Sequence, residues 1–289
     1  MTRADPAGVA ADILANTPEG PPVVAPGTVL APGYVALRLL SRGHRLDVYD
    51  AWSEGRRCRC VVKIARPDRA GEPGVRRQLL EEGALLRRLD HPHWVRLYDV
   101  IDGERAALIL ETLPGATLSA VLDDRRRLCA DDAMVLGAQL ASALGYLHDR
   151  GWLHLDLTPG NVVVTGGMAR VIDLSLARRP GPSRRGAGTA GYRSPEQVAG
   201  DPVGSATDVW GLGLLLHEAL SGREPGATRR RSDGLPPLRR RQGVRRLPST
   251  LVDLVNECLT PDPRRRPRLD AVLQRLSGAH APTAQSAPC

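Results

Sequence analysis

The hydrophobic pattern of this chain changes near residue 114, and that change limits the folds available to it. Before this point the apolar residues fall in strand-like runs, at residues 35–64, 94–100 and 107–110, with one helical stretch at 75–89. After it the spacing is helical, and one buried stripe is formed by Leu136, Leu140, Leu144 and Leu147. A β-rich first third and an α-rich remainder predict an α+β chain with two lobes.

The two ends of the chain differ in composition from its centre. Residues 1–26 are rich in Ala, Pro and Gly and are predicted to be a disordered leader. Residues 277–289 are predicted to be a disordered tail. The rest, residues 27–276, is long enough for one domain, with a first lobe of about 27–113 and a second lobe of about 116–276.

Cysteine usage and hydropathy indicate the compartment. The five cysteines are too sparse for a metal framework, and Cys58 and Cys60 are expected to pack side by side on one strand face. The best apolar stretch, residues 209–220, is too short to cross a membrane, and no signal peptide is visible. We therefore expect a reducing, cytoplasmic setting without a membrane partner.

The strongest chemical signal is the segment His154-Leu-Asp156-Leu-Thr-Pro-Gly-Asn161, which is followed by Asp173. One carboxylate can accept the proton of an attacking hydroxyl, while an amide and a second carboxylate can hold Mg²⁺. Each of these residues alone is compatible with a surface turn. Their order and spacing together predict phosphoryl transfer.

With this motif the sequence resembles a serine/threonine protein kinase of the bacterial kind, over about residues 27–276. The resemblance implies the bilobal protein kinase fold, with a small β-rich N-lobe and a larger helical C-lobe. It also implies ATP as phosphate donor and a protein serine or threonine as acceptor. Asp156 takes the role of the base, and Asn161 and Asp173 that of the ligands of Mg²⁺ or Mn²⁺.

Lys63 is the only lysine in the chain, and its surroundings, Cys-Val-Val-Lys63-Ile, resemble the kinase strand that carries the phosphate-binding lysine. The resemblance implies a glutamate partner on the following helix. Kinases place it ten residues before the proline of the His-Pro motif, here Pro92, which selects Glu82. Glu81 lies about 100° away around a helix and is expected to face solvent.

Motifs outside the active site extend the resemblance. They cover the catalytic-loop histidine, the end of an activation segment, the central helix of the C-lobe and a late arginine that pairs with the segment's glutamate. The residues concerned are His154, Thr189, Glu196, Asp208 and Arg266. They argue against a phosphotransferase of the aminoglycoside type, which shares the base and the metal ligands but lacks this segment.

The resemblance also implies an ATP site. Val48 and Val163 are expected to sandwich the adenine, which Val61 also covers, and backbone groups at Glu111 and Leu113 are expected to bond its edge. The full expected set is Gly43, Val48, Val61, Lys63, Leu110, Glu111, Leu113, Thr117 and Val163.

Several positions depart from the kinase pattern. Leu46 has a side chain where glycine admits phosphate, and Asp47 is expected to add a negative charge nearby. Thr158 replaces a lysine that steadies the γ-phosphate, a loss of about 3 kcal/mol or roughly a hundredfold in rate. Ser175 replaces the glycine after the metal-binding Asp173. Leu155 replaces an arginine that binds activation-loop phosphate, so activity is expected not to need that modification.

These departures leave alternatives open. A pseudokinase, which docks a partner with weak or no catalysis, is the main one. The arginine-rich stretch at residues 229–246 is favoured as a solvated insert, with docking of an acidic protein as its alternative. Nucleic acid is a weaker candidate, because few aromatic residues interleave these arginines.

Overall fold

The computed structural model of the protein describes residues 21–225, 236–242 and 245–278. The chain divides into two units. The first comprises the chain up to Asp90 together with Val95–Leu113, and the second comprises His91–Trp94 and the chain from Pro114 onward. Arg229, Arg230 and Arg231 of the arginine-rich stretch lie outside the described residues.

A six-stranded antiparallel sheet forms most of the first unit. Its strand order is β1-β2-β3-β4-β6-β5, so only the last two strands exchange places relative to the sequence. The strands are β1 (Val29–Ala31), β2 (Tyr34–Arg42), β3 (Leu46–Ser53), β4 (Cys58–Ala65), β5 (Leu97–Ile101) and β6 (Ala107–Glu111). β4 lies between β3 and β6, and five of its last six residues are buried, as expected for an inner strand.

The two faces of this sheet are covered differently. One face carries an apolar core in which Tyr49, Val62, Ile64 and Ile109 are fully buried. Helix α1 (Pro73–Leu86) packs against β4, β5 and β6 on the face that carries Leu108. A methyl group on Gly83 of α1 would lie 2.8 Å from the side chains of Leu108 and Val100, so glycine lets the helix approach the sheet.

Residues 21–26, which were predicted to belong to a disordered leader, make defined contacts in the structure, whereas residues 1–20 of that prediction lie outside the described residues. Val23 and Val24 pack on the apolar core of the first sheet, and the Pro21 carbonyl accepts a 2.7 Å hydrogen bond from Arg42 Nη1. The composition of this stretch is typical of a loose segment, but partial burial of its two valines on the sheet favours an ordered conformation.

Helices dominate the second unit. They are α2 (Leu118–Arg125), α3 (Ala130–His148), α4 (Pro195–Ala199), α5 (Ser205–Ser221), α6 (Ser249–Cys258) and α7 (Leu269–Gly278). All four leucines of the predicted α3 stripe are buried, and α3 packs on α5 and α7. Gly151 is left-handed (φ 74°) and ends α3 as predicted, with the Trp152 amide donating to the Leu147 carbonyl.

A small three-stranded sheet of this unit is flanked by the predicted base and metal ligands. Its strands are β7 (Ala116–Thr117), β8 (Val162–Thr165) and β9 (Met168–Val171). Asn161 comes directly before β8, Asp156 lies six residues before the first residue of β8, and Asp173 comes two residues after β9. Beyond α5, two short strands pair with each other, β10 (Arg241–Gln242) and β11 (Arg245–Arg246).

The stretches that were predicted to be strand or helix are found in the structure, but some of them end at other residues. The helix expected over residues 75–89 ends at Leu86, because the amides of Arg88 and Leu89 turn back to carbonyls three residues earlier. The disordered tail predicted over residues 277–289 is wrong for Ser277 and Gly278, which belong to α7, and its other residues lie outside the described part of the chain. Within the described residues, no helix combines the length and the apolar character needed to cross a membrane.

Candidate active site

Lys63 and Glu82 form a buried ion pair within the first unit. The Lys63 ammonium lies 2.8 Å from both carboxylate oxygens of Glu82, and both side chains are less than a tenth exposed. Lys63 extends from β4, and Glu82 from the face of α1 that also buries Leu79 and Leu86. Glu81 is exposed, so Glu82 is the glutamate that pairs with Lys63, as its spacing from Pro92 predicted.

Three apolar residues of the expected adenine site lie on the sheet face that carries Lys63. Val48 is the cross-strand partner of Lys63, and Val61 is the cross-strand partner of Leu110. Directly paired residues of antiparallel strands share a face, as do residues two apart on one strand. Val48 and Val61 are half-buried and Leu110 is 4% exposed, so they form an apolar surface beside the lysine.

Asp47 does not add a negative charge on this surface, contrary to the expectation. As the neighbour of Val48 on β3 it points to the opposite face, where it is fully buried. There Arg42 binds it with two hydrogen bonds, of 2.8 Å from Nε and 3.0 Å from Nη2. The charge is neutralised inside the sheet core, so Asp47 is a structural residue of the β2–β3 hairpin.

Gly43 lies in the tight turn between β2 and β3, and its backbone is already engaged. Its amide donates to the Leu46 carbonyl at 2.8 Å, and its own carbonyl accepts from Arg66 Nη1 at 3.2 Å. The turn is therefore closed by its own hydrogen bonds. In this arrangement the Gly43 amide is not a donor for phosphate, which a glycine-rich loop would supply at this point.

The remaining nucleotide candidates are divided between the two units. Glu111 exchanges hydrogen bonds with Arg96 in the first unit, its amide donating to the Arg96 carbonyl and its carboxylate accepting from the Arg96 amide. Leu113 is the last residue of that unit. Thr117 and Val163 are cross-strand partners in the second unit, and the Thr117 hydroxyl also caps α2.

Asp208, at the start of α5, anchors the loop of residues 154–161, which is the expected catalytic loop. Its carboxylate accepts from the backbone amides of His154 and Leu155 at 2.8 and 2.7 Å, and from His148 Nε2 at 2.7 Å. Burial is the largest single effect and would raise the pKa of Asp208, but the hydrogen bond from His148, together with the other interactions of His148 and His154, holds the pKa below its ordinary value. The negative charge thus stays on Asp208 and fixes the loop.

Asp156 and Asn161 are brought together at the end of this loop. Asn161 Nδ2 donates to the Asp156 carbonyl at 2.9 Å, and the Thr189 backbone amide donates to Asp156 Oδ1 at 2.8 Å. Thr189 therefore contacts the loop through its backbone amide. Among the described residues no protein group donates to Asp156 Oδ2 or to Asn161 Oδ1.

Asp173 and Thr158 are the other polar residues of this unit that the sequence linked to phosphoryl transfer. Asp173 Oδ1 accepts from the Ser175 backbone amide at 2.8 Å, so the residue in place of the usual glycine contributes through its backbone. Thr158 is 7% exposed and precedes the turn at Pro159–Asn161. A short buried side chain therefore stands where the kinase pattern has a long cationic one.

The glutamate expected to pair with a late arginine does so. Arg266 binds both carboxylate oxygens of Glu196, at 2.7 and 2.9 Å, and both side chains are almost fully buried. Burial is the largest single effect and would raise the pKa of Glu196, but the hydrogen bonds and charge of Arg266, with the Thr207 hydroxyl and a backbone amide, together lower it below the ordinary value. This pair connects α4 to the segment before α7.

A cavity of about 280 Å³ opens beside the catalytic loop, between Thr158, Gly160, Thr189 and Tyr192. Its wall also contains three carboxylates and one guanidinium, those of Asp123, Glu218, Glu224 and Arg126. The Tyr192 hydroxyl donates to Glu218, and burial raises the pKa of Glu218. The cavity wall therefore carries more carboxylates than cations, and such a wall does not favour the binding of an acidic substrate.

The protein kinase domain model matches residues 34–276. The chain belongs to the protein kinase family. This protein kinase chain is 34% identical to the serine/threonine-protein kinase PkaA of Streptomyces coelicolor, over 78% of its own length. It is 32% identical to PkaB of the same organism over 84% of its length, and 30% identical to PknB of Mycobacterium leprae over 64%.

The chain spans less than two thirds of these relatives. It covers 45% of PkaA, 62% of PkaB and 33% of PknB. The match therefore concerns the kinase domain that they share with it. The bilobal kinase fold predicted from the sequence is confirmed by the family match, together with the antiparallel sheet and the helical unit.

One buried residue of this kinase domain, Gln197, was not predicted from the sequence as a contact of the expected catalytic loop. Its side chain bonds the carbonyls of Leu155 and Ala187, and so touches both the catalytic loop and the segment after Asp173. The available signal was Ser194-Pro-Glu-Gln197, a capping box that begins α4. That pattern predicts a helix start but not the second contact of the amide.

Proposed function

We propose that this chain transfers the γ-phosphate of ATP to serine or threonine hydroxyls of a protein, with Asp156 as the general base. The observation that carries this proposal is the state of the Asp156 carboxylate. One oxygen is held by the Thr189 amide, and among the described residues no protein donor occupies the other. A carboxylate held in this way can accept a hydroxyl proton while keeping its orientation.

Asn161 and Asp173 are the proposed ligands of Mg²⁺ or Mn²⁺. Amide and carboxylate oxygens suit these hard cations, and no protein group donates to Asn161 Oδ1 among the described residues. In the described residues no group of three His, Cys, Asp or Glu side chains could hold a metal by itself. A bound cation would therefore also need phosphate oxygens, and it would neutralise their charge.

Lys63 is the proposed ligand of the α- and β-phosphates, with Glu82 holding its ammonium in place. Val48, Val61, Leu110 and Val163 are the proposed apolar contacts of the adenine. We further propose that backbone groups of Glu111 and Leu113 bond the adenine edge, and that Thr117 lies at the rim of the same site. The apolar surface beside Lys63 supports this assignment.

A pseudokinase remains the second candidate, and two observations favour it. The Gly43 amide donates within its own turn. Thr158 lacks the positive charge of the lysine that it replaces in the kinase pattern. Both features are expected to slow phosphoryl transfer. The retention of the complete set of base, metal ligands and ion pair supports a reduced rate over a complete loss.

The test is phosphate transfer from labelled ATP with Mg²⁺ by the wild type and by Asp156→Asn and Lys63→Met variants. Asp201→Asn, which alters an exposed carboxylate, is the matched control. We expect label on protein serine or threonine with the wild type and the control alone. Equal labelling by the wild type and Asp156→Asn would exclude Asp156 as the base. Nucleotide-independent partner binding without transfer would favour the pseudokinase.

The arginine-rich stretch and the cysteines bear on the partner and the compartment. The substrate is proposed to be a protein, and an acidic one would need to bind at the arginines of residues 229–246 rather than at the carboxylate-lined cavity. Nucleic acid is not favoured. The use of ATP and the four free cysteines among the described residues support a cytoplasmic setting. Residues 27–276 are proposed as the kinase domain.

A further inference from the structure

Gln197 is buried, at 3% exposed, and uses every polar atom of its side chain. Oε1 accepts from the Ser194 amide at 3.0 Å. Nε2 donates to the Leu155 carbonyl at 2.9 Å and to the Ala187 carbonyl at 3.3 Å. Since carbonyls only accept and the Ser194 amide only donates, these partners determine the orientation of the side-chain amide.

The first of these carbonyls belongs to a strained residue. Leu155 has φ 66°, a left-handed conformation that a branched side chain rarely adopts. Asp208 holds its amide at 2.7 Å and Gln197 holds its carbonyl at 2.9 Å. Such strain persists only where the surroundings over-determine it. The next residue in the chain is Asp156, so these two hydrogen bonds to the Leu155 backbone also determine the direction of the proposed base.

The second carbonyl belongs to the activation segment, residues 173–196. Gly186 donates its amide to the Gln197 carbonyl at 2.8 Å. A methyl group on Gly188, at φ 101°, would lie 3.2 Å from Gln197 Nε2 and 3.3 Å from the Leu155 carbonyl. The activation segment thus packs directly against Gln197 and the Leu155 carbonyl at Gly188. The next residue, Thr189, donates its amide to Asp156.

We propose that Gln197 is a positioning residue of the phosphoryl transfer reaction, and that its neutral amide ties the activation segment to the catalytic loop. This inference rests on the proposed role of Asp156. Leu155 packs with Leu153 and Val203 where kinases carry a phosphate-binding arginine. The tie through Gln197 requires neither that cation nor a phosphate on the segment.

The Gln197→Glu variant tests the tie. A carboxylate still accepts from Ser194 but cannot donate to either carbonyl, so kcat is expected to fall about tenfold to a hundredfold. The KM for ATP is expected to change little. A protonated Glu regains one donor, and burial favours that form. The ratio of variant to wild-type kcat should therefore rise as the pH is lowered, which a loss of folding alone would not cause.

The matched control is Gln139→Glu on α3. Gln139 also donates to one backbone carbonyl and accepts from one backbone amide, those of Gly167 and Ala169, away from the activation segment. Its kcat should keep the wild-type pH profile. A Gln197→Glu profile that follows the wild type, or a loss of kcat that does not recover on acidification, overturns the proposal.

A second readout separates this proposal from the assignment of Asp156. Arg184 and Arg185 are exposed in the activation segment, and trypsin cleavage there reports how firmly the segment is held. Faster cleavage in Gln197→Glu than in the wild type or Gln139→Glu supports the tie, and equal rates overturn it. If Asp156→Asn transfers phosphate as well as the wild type, the proposed function fails and the cleavage rates still decide the tie.

Discussion

The replacement of Arg266 by methionine is expected to destabilise the second unit strongly. All five N–H groups of this guanidinium donate within the structure: two to Glu196 and one each to the carbonyls of Ala206, Thr260 and Pro261. Methionine fills a similar volume but donates to none of them. Glu196 would keep the Thr207 hydroxyl at 2.9 Å as its side-chain donor.

The magnitude follows from the burial of the two charges. The side chains of Arg266 and Glu196 are 0% and 6% exposed, so the variant leaves an uncompensated carboxylate inside the protein. Breaking a buried pair in this way costs about 3–5 kcal/mol. In a protein of this size each kcal/mol lowers the melting temperature by roughly 2–4 °C. We therefore expect Arg266→Met to melt about 10 °C below the wild type.

Urea and thermal unfolding, followed by circular dichroism, measure this loss. Arg264→Met is the matched control, because Arg264 is exposed two residues away in the same turn. Adding Glu196→Gln to Arg266→Met should recover part of the loss, since a neutral amide costs less to bury than a charge. The reasoning is refuted if Arg266→Met is as stable as Arg264→Met, or if the second change recovers nothing.

Three other variants test separate features. Thr158→Lys should raise the transfer rate, by up to roughly a hundredfold, because it restores a cationic donor, and a steady-state kinase assay measures this. The pKa of Glu196 is lower in the folded than in the unfolded chain, so on acidification the unfolded chain binds the proton at a higher pH than the folded chain does. The stability that this carboxylate contributes is therefore complete above about pH 4.3, the unfolded value, and is lost as the pH falls below it. Urea midpoints of the wild type should fall more steeply there than those of the Glu196→Gln/Arg266→Met variant. Gly213→Ala should cost about 1–3 kcal/mol in the same unfolding assay, because its methyl group would lie 2.7 Å from Cys258 Cβ.

Residues that act by type and spacing were predictable from the sequence. The ten-residue offset from Pro92 selected Glu82, and the structure pairs it with Lys63. The leucine stripe of α3 and the left-handed Gly151 followed from helical periodicity and from the conformational freedom of glycine. In each case a local rule and the tertiary structure agree.

Asp47 and Gln197 were not predictable, for a different reason. The direction of Asp47 depends on strand alternation together with an arginine across the hairpin, and a motif alignment treats it as a loop residue. The role of Gln197 depends on a carbonyl 42 residues earlier in the chain. The left-handed Leu155 likewise has no local signal, because the groups that hold its backbone come from α4 and α5.

The scarcity of lysine has a practical consequence for chemical labelling. With one lysine among 289 residues, the chain has a single side-chain amine, and the structure buries it against a carboxylate. Acylating reagents modify many surface lysines in most proteins, but in this chain they can react with only one ε-amine. Its modification, followed by intact mass with and without nucleotide, would report occupancy of one place in the molecule without mutagenesis.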